Sequence, residues 1–225
     1  MPRGTYLLTD PHSGAELGRE TFSCGAGPSG WRYVGQLWPA GTRPHAGTPY
    51  GTVDLVTDAS WRLLRLEIRR GGWTVRAGSL GREVGWVRHP GGEESREVGA
   101  GFTGPSPAFL VAVARLLDLP VGGRTRLRLM TLSDVLGVLP VHQGWTCTTV
   151  DAHETDLGPL HVETYQVVDL DAGTTGTLHL GGDVVLAADG VELEQLDGPP
   201  TLRRAAPSEA QDGGANAFPA GGSGA

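Results

Sequence analysis

Residues 108–119 read AFLVAVARLLDL, in which ten of the twelve positions are apolar and only Arg115 and Asp118 interrupt. Ser106 before Pro107 supplies a capping hydroxyl and a proline in the first turn, a good helix start. Pro120 and the pair Gly122-Gly123 stop it. A helix apolar around nearly its whole circumference must be covered on nearly every side. A flat sheet would leave half of it wet. The flanking sequence reads as strands, so the sheet they form has to curl around the helix. The expected fold is mainly β: a strongly curved antiparallel sheet, a β-roll or half-barrel of about a dozen strands, wrapped around one buried helix.

The strands are read from period-2 alternation with turn residues between the runs. Leu64, Leu66 and Ile68 fall on one face of Leu63–Arg70, with Arg65, Glu67 and Arg69 on the other. Trp73, Val75 and Ala77 repeat the pattern after the two-residue turn Gly71-Gly72. Upstream, Thr52–Thr57 precedes the turn Asp58-Ala59-Ser60, which makes a meander. Asp183–Ala187 and Val191–Leu196 flank Ala188-Asp189-Gly190 as another hairpin. Further strands are expected at Gly4–Thr9, Leu17–Cys24, Trp31–Leu37, Glu83–Arg88, Arg124–Leu132, Val138–Thr149, Leu160–Asp169 and Thr175–Leu180. The folded domain spans residues 1–203. Residues 204–225, built from Ala, Gly, Pro and Ser without periodicity, read as a disordered tail. Five of the 36 glycines lie in that tail, so the glycine excess belongs to the folded part, where it marks hairpins and bends in a curled sheet.

Composition removes whole chemistries. All 18 cationic residues are arginine, which excludes a Schiff-base lysine and the phosphate lysine of nucleotide-binding loops. Two cysteines, Cys24 and Cys147, cannot build a four-thiolate metal site and read as reduced, buried, small apolar residues. No cofactor or metal is expected. The net charge of −7 argues against nucleic acid and against docking on anionic lipid. The first ten residues lack a signal-peptide core, and no apolar run approaches the roughly 20 residues of a membrane span. A cytoplasmic protein without stable membrane insertion is expected, and its oligomeric state has no signature.

Seven scattered histidines form no metal-binding pair. His161 and Glu163 share a strand face, a spacing that suits a base and its orienting carboxylate, although an alternating strand places both on a solvated outer face. Asp169 and Asp171 read as turn residues. Arg126 and Arg128 read as an exposed pair, with a clamp on an anionic head group as the sharper alternative. Polar and aromatic residues on inward faces carry more information. Gln143 lies in register with Leu139, Val141, Trp145 and Cys147, so its amide needs a partner: a backbone group beside the helix, or a ligand in an interior cavity. Trp73, Trp86 and Trp145 occupy apolar faces, either as core filler or as the flat walls of a small-molecule site.

The order Phe102-Thr103, Pro107 opening an apolar helix with Arg115, then Arg124–Leu132, then Gln143-Gly144-Trp145 resembles a bacterial family of glycolipid-binding proteins. The Tyr50–Arg70 block, with Asp58 and Trp61 in its turn, is similar to a hairpin of that family. The sequence departs from it at Gly104–Phe109, which reads GPSPAF where the family has a polar, leucine-bearing link. The resemblance implies a curved β-roll around a helix, related in shape to lipoprotein carriers, and lipid or glycolipid binding without catalysis. The leading expectation is a non-catalytic module that holds an apolar or amphipathic small molecule inside a curved sheet. Trp73, Trp86, Phe102 and Trp145 would be the lining, and Gln143 an orienting polar group. No catalytic residue is assigned. The alternative is a cyclase or isomerase using the same cavity with His161 and Glu163 as acid and base.

Overall fold

A computed structural model of the chain describes residues 1–201 apart from Ala46 and Leu157. The expected tail, residues 204–225, lies outside the described residues. The first half is β1 (Arg3–Thr9), β2 (Glu16–Gly27), β3 (Gly30–Pro39), β4 (Gly51–Thr57), β5 (Leu63–Arg70), β6 (Trp73–Leu80), β7 (Glu83–His89) and β8 (Glu93–Val98). A two-residue strand β9 (Phe102–Thr103) precedes the helix α1 (Pro107–Leu117). Then follow β10 (Arg124–Leu132), β11 (Val138–His153), β12 (Leu160–Asp169), β13 (Thr175–Gly181), β14 (Val184–Ala188) and β15 (Val191–Asp197).

All fifteen strands form one curved, unclosed sheet in the order β8-β7-β6-β5-β4-β3-β2-β1-β15-β14-β13-β12-β11-β10-β9. Consecutive strands from β1 to β8 and from β10 to β15 pair antiparallel, β1 pairs antiparallel with β15, and β9 runs parallel to its neighbour β10. The topology is a meander whose first and last strands meet in its middle. Its two edges, β8 and β9, are consecutive in the chain and separated only by Gly99, Ala100 and Gly101. Three residues reach about 10 Å when extended, so the sheet has to curl until its edges approach one another.

The helix occupies the inside of that curl. Ser106 caps it, accepting a hydrogen bond from Ala108 N, and Asp118 ends it in the left-handed conformation. Pro107, Ala108, Phe109, Val111, Val113 and Ala114 are buried, and no residue from Pro107 to Leu117 is exposed. The all-round apolar pattern is therefore satisfied from all sides, as the sequence demands. Tyr6, Phe22 and Tyr33 stack with centroid spacings of 4.5 and 5.7 Å and fill one part of the core. Cys24 and Cys147 are both free and buried.

Three local differences from the sequence expectation have physical causes. The short edges β8 and β9 are absent from the sequence reading. β8 reads EESREV, with no apolar face to signal a strand, and β9 is too short to show a period. Leu64 points outward, against expectation, because the register shifts between Val56 and Thr57. Val56 pairs Arg65, Thr57 pairs Leu63, and Leu63 takes the inward place. Asp183 sits in the turn before β14 rather than in the strand, and it is buried.

Candidate functional site

The edges of the sheet are held together without a ladder between them. Gly99 N donates to Arg82 O, Ala100 N to Arg128 O, and Met130 N to Gly101 O. Arg128 on β10 donates to Val98 O at 2.8 Å and forms an ion pair with Glu97 at 3.1 Å, so this one side chain grips the opposite edge. The Gly-Ala-Gly bridge between β8 and β9 is thus the seam of the fold.

Two hollows lie on either side of this bridge. The outer one, about 330 Å³, is lined among others by Arg62, Arg82, Gly99, Ala100, Leu116 and Arg128. The inner one, about 20 Å³, lies between α1 and the sheet, with Leu55, Leu63, Phe102, Phe109, Val113 and Leu116 among its walls. Ala100 and Leu116 belong to both. Twenty cubic ångströms is about the room for one water, so the interior beneath the helix is a filled core with a small apolar hole. Thr57 also lines this hole; its hydroxyl is buried and has no hydrogen-bond partner among the described residues. Trp61 lines it too, its ring tilted against that of Trp31 with centroids 5.2 Å apart, and it is held at φ 62, a backbone region that bulky residues rarely enter. The loop that imposes this is well built. Asp58 Oδ1 accepts from Ser60 N and Arg62 N, which fixes Arg62 at the outer hollow.

The outer hollow is cationic within an anionic protein. Arg62 and Arg82 are exposed and make no side-chain hydrogen bond or ion pair among the described residues, while Arg128 is shared with Glu97. Two larger depressions have other characters. A groove of about 720 Å³ runs over β5–β8, with Gly78 and Gly85 paired across the strands and Leu64, Leu80, Arg76 and Arg96 around them. A cleft of about 620 Å³ is lined by Leu110, Gln143, Val167, Asp169, Thr177 and Asp189, among others. Neither shares walls with the apolar hole.

Three carboxylates are buried inside the curl, each in its own network. Glu20 accepts from Tyr33 Oη at 2.7 Å and from Ser106 Oγ at 2.8 Å, both on Oε1. Its Oε2 has no partner among the described residues. Burial pushes its pKa up to about 7, against the opposing pull of the two hydroxyls. Gly35 makes the room: a Cβ there would lie 2.3 Å from Glu20 Oε1. Glu163 pairs with Arg115 at 2.8 Å and accepts from Tyr165 Oη at 2.6 Å, while Arg115 also donates to Gly182 O. The one cation of the apolar helix is thereby neutralised from the sheet. Asp183 accepts from Trp31 Nε1 at 3.2 Å and from Thr201 N at 2.8 Å, tying the end of the described chain to β3.

The residues singled out in the sequence do not converge on one cavity. Phe102 lines the apolar hole, and Trp86 packs edge-on against it at 6.5 Å. Trp73 is half-buried, with the Arg88 guanidinium 3.6 Å from its ring centre, and lines none of these hollows. Trp145 is buried against Tyr165, and its indole donates to Gln143 Oε1 at 3.0 Å. That neighbouring indole, rather than a backbone group, is the partner of the Gln143 carbonyl. Gln143 lines the separate 620 Å³ cleft. Glu163 corrects the expectation of a solvated outer face: it is fully buried and bound to Arg115, while His161 is half-buried. Asp169 behaves as a turn residue, its Oδ1 accepting from Asp171 N and Ala172 N. Thr57, Arg62, Arg82 and Leu116 were not legible as site residues. They lie in distant segments, and only the curling of the sheet brings them together.

No protein-family model matches the chain, and no curated protein matches it. Among solved structures, a crystal structure of a DUF1089 family protein from Pseudomonas aeruginosa is similar, with a TM-score of 0.51 and 16% identity. The match covers 76% of this chain and 89% of that one. At such identity the likeness is one of fold, a β-rich architecture shared by the two chains. No described helix is long and apolar enough to cross a membrane.

Proposed function

We propose that this protein is a non-catalytic binding module that admits an apolar or amphipathic small molecule through the seam between β8 and β9. The observation that carries this reading is the wall of Ala100 and Leu116 shared by the outer hollow and the apolar hole. Moving the Gly-Ala-Gly bridge joins the two into one slot beneath the helix. The seam is the cheapest place to open, because no strand ladder crosses it: the three backbone hydrogen bonds of the bridge, the grip of Arg128, the Arg88 donation to Val135 O and the Arg70–Asp134 ion pair oppose its opening. Opening the sheet elsewhere breaks a strand ladder. The outer hollow, about 330 Å³, already falls in the range of small-molecule sites. A lipid or glycolipid, as the family resemblance implies, is an amphiphile of this kind.

Native mass spectrometry of freshly purified protein tests for a co-purifying small molecule. Titration with 12-(nitrobenzoxadiazolyl-amino)dodecanoic acid and with its methyl ester tests binding directly. Saturable one-to-one binding of either probe is expected. Leu116→Trp, which fills the wall common to both hollows, is expected to weaken binding at least about tenfold, the worth of about 1.4 kcal/mol. Absence of saturable binding of both probes, with nothing retained in the mass spectrum, overturns the reading.

A further inference from the structure

We infer that the molecule taken at the seam carries an anionic head group, a carboxylate or a phosphate, held by Arg62, Arg82 and Arg128 with its apolar chain directed under α1; this rests on the binding reading above. The chain as a whole has a net charge of −7, so an anion is repelled by most of the surface. At the outer hollow the balance is reversed: three arginines line it, and Glu97 offsets only one of them. Arg62 and Arg82 are the uncommitted pair. Asp58 Oδ1 shapes the loop, accepting from the backbone of Ser60 and Arg62, and no ion pair joins Asp58 to the Arg62 guanidinium among the described residues. Planar guanidinium groups suit bidentate recognition of carboxylate or phosphate, and the absence of any lysine leaves this task to arginine alone.

The two ends of the slot have opposite chemistry. The mouth is cationic, and the hole behind the bridge is apolar apart from the unpartnered hydroxyl of Thr57. An amphiphilic anion matches both ends at once. A neutral amphiphile leaves the arginines unpaired, and a free inorganic anion gains nothing from the hole. Arg128 then has a double role. It holds the edge of β8 through Val98 O and Glu97 in the empty state, and a head group that draws its guanidinium away weakens the grip on the seam. Head-group binding and opening of the bridge are thereby coupled.

The test compares the ionised dodecanoic acid probe with its neutral methyl ester at about pH 8, on the full chain. The acid is expected to bind at least about tenfold more tightly, as one charge-assisted contact supplies. The double variant Arg62→Gln/Arg82→Gln is expected to erase that preference while leaving ester binding in place. Arg3→Gln, a charge change at an exposed arginine that lines neither hollow, is expected to retain it. Raising salt from about 0.05 to about 0.5 M weakens acid binding and not ester binding if the arginines act as charges. Competition by dodecanoate and by dodecyl phosphate distinguishes the two head groups, and the stronger competitor names the source. Equal affinity for acid and ester overturns the head-group inference and leaves the binding reading standing. Binding of neither probe overturns the binding reading itself.

Discussion

Glu20 offers a quantitative test of the buried interior. Its carboxyl is enclosed by Tyr33 and Ser106, and burial raises its pKa from 4.5 to about 7. Between those two values the native state holds a proton that the unfolded chain has lost. The stability contributed by this group is therefore fully present below about pH 4.5 and is lost as pH rises toward 7. Each pH unit across that interval is worth about 1.4 kcal/mol, so the full loss is about 3 kcal/mol. Glu20→Gln fixes the neutral form. Glutamine adds its own cost, because its amide nitrogen replaces an oxygen that has no partner among the described residues. That cost does not depend on pH. The informative quantity is the change in the difference between parent and variant, measured by urea denaturation at about pH 5 and about pH 8. The parent is expected to lose about 2 to 3 kcal/mol relative to the variant over this range. Parallel pH profiles for the two proteins would refute the reasoning, whatever their absolute stabilities.

Two further perturbations probe the other networks. Arg115→Met removes the cation that pairs with Glu163, a fully buried carboxylate to which Tyr165 Oη also donates. A loss of about 3 to 5 kcal/mol in urea denaturation is expected, with partial recovery in the double variant Arg115→Met/Glu163→Leu. A single variant as stable as the parent contradicts a structural role for the pair. Asp183→Ala deprives Trp31 Nε1 and Thr201 N of their acceptor, and a loss of about 1 to 3 kcal/mol is expected. Hydrogen exchange at the Thr201 amide is expected to accelerate by at least about tenfold; unchanged protection there argues against Asp183 as the tie.

How much of this was legible in the sequence follows from the range of the signal. Alternation is local, and it located thirteen of the fifteen strands, each from its own apolar face. It failed at β8, whose residues are polar on both faces, and at Leu64, where a bulge moves one residue across the sheet. The buried helix was legible for the same local reason, since its apolar circumference states its surroundings without reference to any distant residue. Burial of polar groups was not legible. Glu163 alternates like an outward residue until Arg115 arrives from the helix, and Glu20 gives no sign of the Tyr33 and Ser106 hydroxyls that receive it.

By itself, then, the sequence determined that a β chain must curl around one helix, because nothing flatter covers an apolar cylinder. It also limited the chemistry, because a chain without lysine and with two isolated cysteines lacks the groups that several mechanisms need. Only the tertiary structure decided where the curl ends. Placing β8 and β9 three residues apart brings Arg62, Arg82, Leu116 and Arg128 to one seam. Their spacing in the chain carries no period or motif. Their meeting is a property of sheet closure, which depends on every strand between them.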